Sequence, residues 1–410
     1  SLSTLDVVAD AHVPHLLAYG LVERQALHDP AGELGIGTQD RRYLTLSGGA
    51  TSTWQAALDR HRLNAGVELR ADRFRDADAT GTRASLVGDR EGGAVMAAID
   101  LVADPQARIV VTPAVRIDVV RTLPTPNPQA LTPVAPRWDT VPSPRLTARG
   151  AVTDDISIKT SAGWYVRLPT LVELFGNRGT IIGSPDLRPE RGPSLDAGVV
   201  WAPARAMRQG GLVVDRIFVE AAAFGSRPRD RIALIPSIGS VARAINVSSS
   251  EAYGGELVAS ARVAHTVTVT ANYTRLVTEQ HTMEVSFNNK ELPRSPGHQV
   301  YARADVTRRA LGRRADVWAD TSFQSDSYLD QANLQLVPAR VLVGAGARVE
   351  LAAGVALAVT VENLADTRIE MLPLNPAPRP DLTETPTPLS DYAGFPLPGR
   401  SFYLALDWSH

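Results

Sequence analysis

The chain has 410 residues, a formal net charge of −2, 44% hydrophobic residues and no cysteine. Balanced charge opposes a nucleic-acid binder and shows no polybasic membrane patch. The missing cysteines exclude disulfide scaffolds, thiolate metal sites and cysteine nucleophiles. No stretch approaches the ~18–20 uninterrupted apolar residues of a membrane-spanning helix. Residues 1–6 lack the basic and apolar regions of a secretory signal. A membrane protein with this composition has to cross with strands, because closed barrels are the other way to satisfy backbone hydrogen bonds in lipid.

Taken in chain order, the sequence alternates with period two and shows little helical periodicity. His12-x-x-His15 near the start lacks a carboxylate or cysteine to complete a metal site. Leu63, Ala65, Val67, Leu69 and Ala71 alternate with Asn64, Gly66, Glu68, Arg70 and Asp72. Ile109, Val111, Val115, Ile117 and Val119 then share a face, and Asp154-Asp155 marks a short turn rather than a catalytic pair. Val267, Val269, Ala271 and Tyr273 oppose a ladder of polar residues from Thr266 to Thr274. The pattern recurs in Val341–Val349, in Val355–Val361, and in a last strand where Phe402, Leu404, Leu406 and Trp408 align. Such runs of ~9–13 residues suit tilted strands that cross a bilayer. Arg108, Arg116, Arg303, Arg340 and Arg348 fall on the polar faces. They either attract an anionic ligand or pair across strands with Asp118, Asp305, Asp316 or Glu350.

Long and short connections alternate between these runs, as in outer-membrane barrels with long external loops and short periplasmic turns. Residues 75–92, 226–252 and 365–399 are long links. Residues 54–60 make a moderate link, and Ala352-Ala353-Gly354 a short one. The expected fold is all-β: an antiparallel transmembrane β-barrel with about sixteen strands between residues 15 and 409, and one more within residues 1–12. Aromatic residues make up 6% of the chain, and Trp54, Trp164, Trp201, Trp318 and Trp408 are candidates for interfacial girdles. No nucleophile motif, phosphate loop or dinucleotide fingerprint is present, and no enzyme activity is expected.

Five blocks in order carry a family resemblance. Leu168-Pro169-Thr170-Leu171-Val172-Glu173-Leu174-Phe175-Gly176 looks like the "PTxxELF" segment of TonB-dependent outer-membrane receptors. Gly183-Ser184-Pro185-Asp186-Leu187-Arg188-Pro189-Glu190 resembles their "GNPDLKPE", with Ser184 where Asn is usual. Gly254-Gly255-Glu256-Leu257 matches a "GxE" strand start, and Leu292-Pro293-Arg294-Ser295-Pro296-Gly297-His298 resembles "LPxxPxH". Asn363-Leu364, followed by Pro398-Gly399-Arg400-Ser401-Phe402, matches the family's ending.

The resemblance implies a 22-stranded barrel of which residues 1–410 supply part. The plug domain and roughly the first six strands are expected to be missing, and the strand parity fits. It further implies a receptor in the outer membrane of a Gram-negative bacterium that imports a scarce nutrient, most often a ferric siderophore. Its partners would be outer-membrane lipid, a small chelate and, through the plug, the TonB-ExbB-ExbD energising complex. No resident cofactor or metal is implied. The runner-up is a passive porin of about sixteen strands. Phe287, Tyr328, Arg379, Tyr392 and Phe395 lie in long links and are the candidate ligand contacts. Residues 169–190 read as a ligand loop or as a connector whose prolines fix its path. As free edges invite pairing, open strands are expected at residues 15–27 and 400–409.

Overall fold

The computed structural model describes residues 2–7, 15–32, 37–80, 86–124, 135–176, 181–236, 242–310, 312–352, 354–367 and 398–408. Among them, twenty strand segments join one sheet, and the remaining two, Ser327–Tyr328 and Leu336–Val337, pair with each other. Sixteen of the strands, from His15–Asp29 to Ser401–Trp408, are the long legs of a meander, with Leu2–Val7 beside the first. The only helix among the described residues is Leu171–Phe175.

Two compact units divide the chain. The first comprises residues 1–149, 161–195 and 227–249, and the second residues 150–160, 196–226 and 250–410. In the first unit, His15–Asp29, Gln39–Leu58, His61–Asp78, Leu86–Val102 and Ile109–Pro124 pair in succession, all antiparallel. Strand alternation sends Leu46, Val67, Leu69, Val95 and Val115 to one face. They stay exposed there, Leu69 by 62%. An apolar face left bare is costly in water and suits lipid. The same face ends in an exposed Arg73–Asp89 ion pair at 2.7 Å, so its apolar band has a polar border.

The second unit repeats the design. Val267–His281, His298–Ala310, Arg313–Gln324, Arg340–Ala352, Val355–Glu362 and Ser401–Trp408 pair in order. Val269, Val317, Val341, Val359 and Leu404 share the apolar face, and Leu404 is 75% exposed.

Several sequence expectations need revision. The link at 54–60 is a two-residue turn, since Leu58 pairs with His61 and Asp59 takes φ 56°. Asp tolerates that left-handed conformation. The links at 75–92 and 226–252 contain extended strand: pairing runs on to Asp78 and resumes at Leu86, and Arg229–Pro236 pairs with residues 242–249. Period-two reading follows one apolar face, and it loses the strand where polar residues crowd both faces, as in 75–78, or where apolar ones do, as in 232–235. The expected open edge at 15–27 is half covered, because Leu2–Val7 pairs with Leu16–Leu21. Trp318 lies mid-strand on the polar face, against Gly346, and is not an interfacial residue.

Candidate functional site

The polar face of the first unit carries the densest chemistry. There, residues 167–190 fold inward onto the sheet. Pro169 is buried and the chain turns at Thr170. The Thr170 hydroxyl accepts from the Glu173 N–H at 3.2 Å, and the Glu173 carboxylate accepts from the Thr170 N–H at 2.7 Å. This reciprocal capping box fixes the start of the short helix. Leu174 and Phe175 emerge on its buried side, 1% and 3% exposed.

Phe175 stacks on Phe74 with ring centroids 6.0 Å apart and planes at 11°, and Phe74 in turn meets Tyr43 at 6.2 Å. Leu187, Ile232 and Ala244 complete this core. A side chain on Gly88 would overlap the Phe175 ring, so the wall offers bare backbone where the ring lies.

The acids of the two motifs converge on one guanidinium. Arg167 donates to Glu173 at 3.0 Å and to Glu190 at 2.6 Å. Buried Glu190 also accepts from the Ile232 N–H at 2.7 Å. Charge-assisted bonds of this kind are the stronger ones. They join the helix, the strand start and residues 229–236. Ser184 donates to the Ala244 carbonyl, Arg137 donates to the Asp186 and Leu187 carbonyls, and Asn246 bonds Arg188 in both directions. Pro185 and Pro189 are half-buried, and Asp186 is exposed.

Between this segment and the wall lies a cavity of about 570 Å³. Most of its charges are paired. Buried Asp72 receives Arg70 at 2.9 Å and Arg90 at 3.0 Å, and Arg90 also donates to the Pro169 carbonyl at 2.7 Å. Arg116 lies between Glu68 at 2.8 Å and Asp118 at 2.7 Å. No group of side chains suited to a metal ion occurs among the described residues. The arrangement holds charge in place and offers polar surface, with no nucleophile–base pair in it.

The other motif residues lie in the second unit, mostly at turns and strand starts. Gly255 and Glu256 pair with Ala223 and Ala222. Leu292 is buried and donates its N–H to Thr278 Oγ1, while Pro293 and Pro296 are half-buried beside it in the chain. Asn363, at φ 49°, exchanges two hydrogen bonds with Thr367, and the Leu364 N–H reaches the Val343 carbonyl at 2.7 Å. The Arg400 N–H donates to Asp366 at 2.9 Å, so both ends of the link 367–399 are tied together. Pro398 and Gly399 precede the exposed Phe402.

Of the candidate ligand contacts, Phe287 and Tyr328 are half-buried in two interlocked loops. Asn333 bonds Glu291 in both directions, and the Arg294 N–H donates to the Tyr328 carbonyl at 2.7 Å. Arg379, Tyr392 and Phe395 lie outside the described residues. Sequence reasoning missed most of the cavity's ion pairs. Their signal is a repeated Arg-x-Asp, in which both side chains share one face of a strand.

Residues 14–364 match the family described as TonB dependent receptor-like, beta-barrel. No curated protein matches. Among solved structures, the copper transporter OprC is similar at a TM-score of 0.74 and 17% identity, over 100% of this chain and 64% of that one. The siderophore receptor PiuA from Acinetobacter baumannii gives 0.68 and 15%, over 99% and 63%. The ferric yersiniabactin uptake receptor FyuA from Yersinia pestis gives 0.67 and 15%, over 89% and 55%. The chain thus spans less than two thirds of the length of each. The family match covers most of the chain, and this chain belongs to the TonB-dependent receptor β-barrel family, whose members are transporters rather than enzymes.

Proposed function

We propose that the chain is barrel wall and external loops of a TonB-dependent outer-membrane receptor that imports a scarce metal chelate, most simply a ferric siderophore. The observation that carries this is the two-faced sheet. An exposed apolar face suits lipid, and the opposite face is polar, with the family segment 167–190 folded onto it. Neighbours named for siderophore uptake support an iron chelate, and the copper transporter keeps other metals in play.

Residues 1–410 act as one barrel domain in this reading. A plug supplied elsewhere in the protein would contact the TonB-ExbB-ExbD complex. External loops bind the ligand, and work on the plug lowers its affinity, so transport is coupled binding and release. Phe287 and Tyr328 serve as contacts, together with Arg379, Tyr392 and Phe395. Family membership favours this over a passive porin.

The test is uptake of labelled ferric siderophores, copper complexes and cobalamin by cells expressing the full-length gene, with and without a collapsed proton gradient. Saturable uptake that stops on de-energisation is expected. Gradient-independent leakage of many small solutes would refute the receptor and favour the porin.

A further inference from the structure

The polar face of the second unit is nearly self-neutral along its strands. Arg303 is bound to Asp305 at 2.7 Å, Arg314 to Asp316 at 3.1 Å and Arg348 to Asp407 at 3.1 Å. Arg340 differs. It stands at the start of Arg340–Ala352, directly after the link 326–339 that carries Tyr328. Its register partner is Gln324, and Gln324 pairs with Gln299, which pairs with Thr274. The row is therefore built of neutral side chains with one cation at its end.

Arg340 Nη2 donates to Gln324 Oε1 at 2.6 Å, and no carboxylate among the described residues lies within ion-pair distance of it. Asp326, two residues past Gln324 in the chain, is exposed and makes no ion pair with Arg340, and the nearest acid within the partner strand's polar face is Asp320, opposite Gly344. That is four positions along, or about 13 Å at strand spacing. A guanidinium has five N–H donors in a fixed fork, and the amide engages one nitrogen. The side chain is half-buried, so it is partly removed from water without a counter-charge. Folding alone gives no reason to hold a half-buried, unneutralised cation there when Arg303, Arg314 and Arg348 are each matched.

We propose that Arg340 is an anion-recognition position, taking a carboxylate or catecholate oxygen of the transported chelate, with Gln324 holding the fork and Gln299 adding an amide. The inference rests on the receptor reading and narrows its cargo to complexes with negative charge. Arg suits this task because its fork donates to two oxygens at once, and lysine is a poorer substitute.

The experiment uses the full-length protein in cells, with binding and gradient-dependent uptake measured for two probes: an anionic ferric tris-catecholate and a neutral ferric tris-hydroxamate. Arg340→Gln is compared with Arg340→Lys, and Arg303→Gln serves as a control for altering a matched arginine. The expected result is that wild type takes up the anionic probe and Arg340→Gln weakens its binding tenfold or more. Arg340→Lys restores part of the loss, Arg303→Gln has a smaller effect, and uptake by each variant still depends on the gradient. Equal binding of the anionic probe by wild type and Arg340→Gln overturns the proposal and leaves the receptor reading standing. So does uptake of the neutral probe alone. Absence of gradient-dependent uptake for both probes and for copper and cobalamin complexes overturns the receptor reading, and this inference falls with it.

Discussion

Replacing Gly88 by alanine tests whether residues 167–190 are seated on the wall by the Phe175 ring. The new Cβ would overlap three ring carbons of Phe175, which is 3% exposed and stacked on Phe74 at 6.0 Å. The ring cannot retreat without leaving that stack. Overpacking of this kind costs about 1–3 kcal/mol, which opens the segment roughly 5–150 times more often. Phe175→Ala removes the ring itself, at about 3–5 kcal/mol. The two changes are not additive, because alanine at 88 projects into the space that the missing ring vacates. The assay is hydrogen exchange at the Ser184 and Gly176 amides, which bond the Glu173 and Val172 carbonyls at 2.9 and 2.7 Å. Gly88→Ala should speed their exchange in wild type and leave it unchanged or slower in Phe175→Ala. Additive effects, or no effect of Gly88→Ala alone, would refute the seating argument.

Three further outcomes are expected. Arg167→Gln leaves Glu173 and the buried Glu190 without their shared cation and should destabilise the segment by roughly 1–3 kcal/mol; protease nicking between residues 176 and 190 of the full-length protein reads this out. Gly346→Ala should push the Trp318 ring off the wall and away from Arg303, whose guanidinium lies 5.0 Å from the ring centroid. The Trp318 emission will shift in a variant that keeps this tryptophan alone. The Asp104 carboxyl, which accepts the Ile109 N–H at 2.7 Å in a turn, is held below the ordinary carboxylate range by that bond. With its folded value depressed, its contribution to the turn is present above the ordinary Asp value of about 3.9 and lost as pH falls through the lowered one. Relative to its intrinsic rate, exchange at the Ile109 amide should rise in that acid window, and this rise should be absent in Asp104→Asn.

Sequence alone carried the two-faced strands and their succession, because burial in lipid selects an apolar residue at every second position. Val67 and Leu69 or Leu404 and Leu406 are legible for that reason. The helix Leu171–Phe175 was not, since five residues cannot display a 3.6 period. Thr170 followed three residues later by Glu173 was the available signal. The seat of Phe175 was out of reach altogether: nothing in the sequence links Gly88 to a ring 87 positions away. Nor does any local pattern say that Arg167 gathers the acids of two separate motifs, because the motif spacing records only their order along the chain.

The arginines show how a right reading can take the wrong geometry. Pairing across strands was one of two readings, yet Arg116 binds Asp118 and Arg303 binds Asp305 on its own strand, two residues on; Arg116 does also cross to Glu68, and Arg348 crosses to Asp407 instead of meeting Glu350. Arg70-x-Asp72, Arg137-x-Asp139 and Arg314-x-Asp316 repeat the first pattern. Positions i and i+2 share a face, and the long guanidinium spans the gap easily. Exposed pairs of this kind add little stability, so their consequence lies in the field they cancel. Each such step sets a cation beside an anion, and some pairs are shared with other strands, since Asp72 also takes Arg90 and Arg116 also takes Glu68. A polar wall built this way can be rich in charge and still present almost no net potential to a passing ion. Against that background a half-buried unmatched cation, such as Arg340, stands out far more than it would among unpaired arginines.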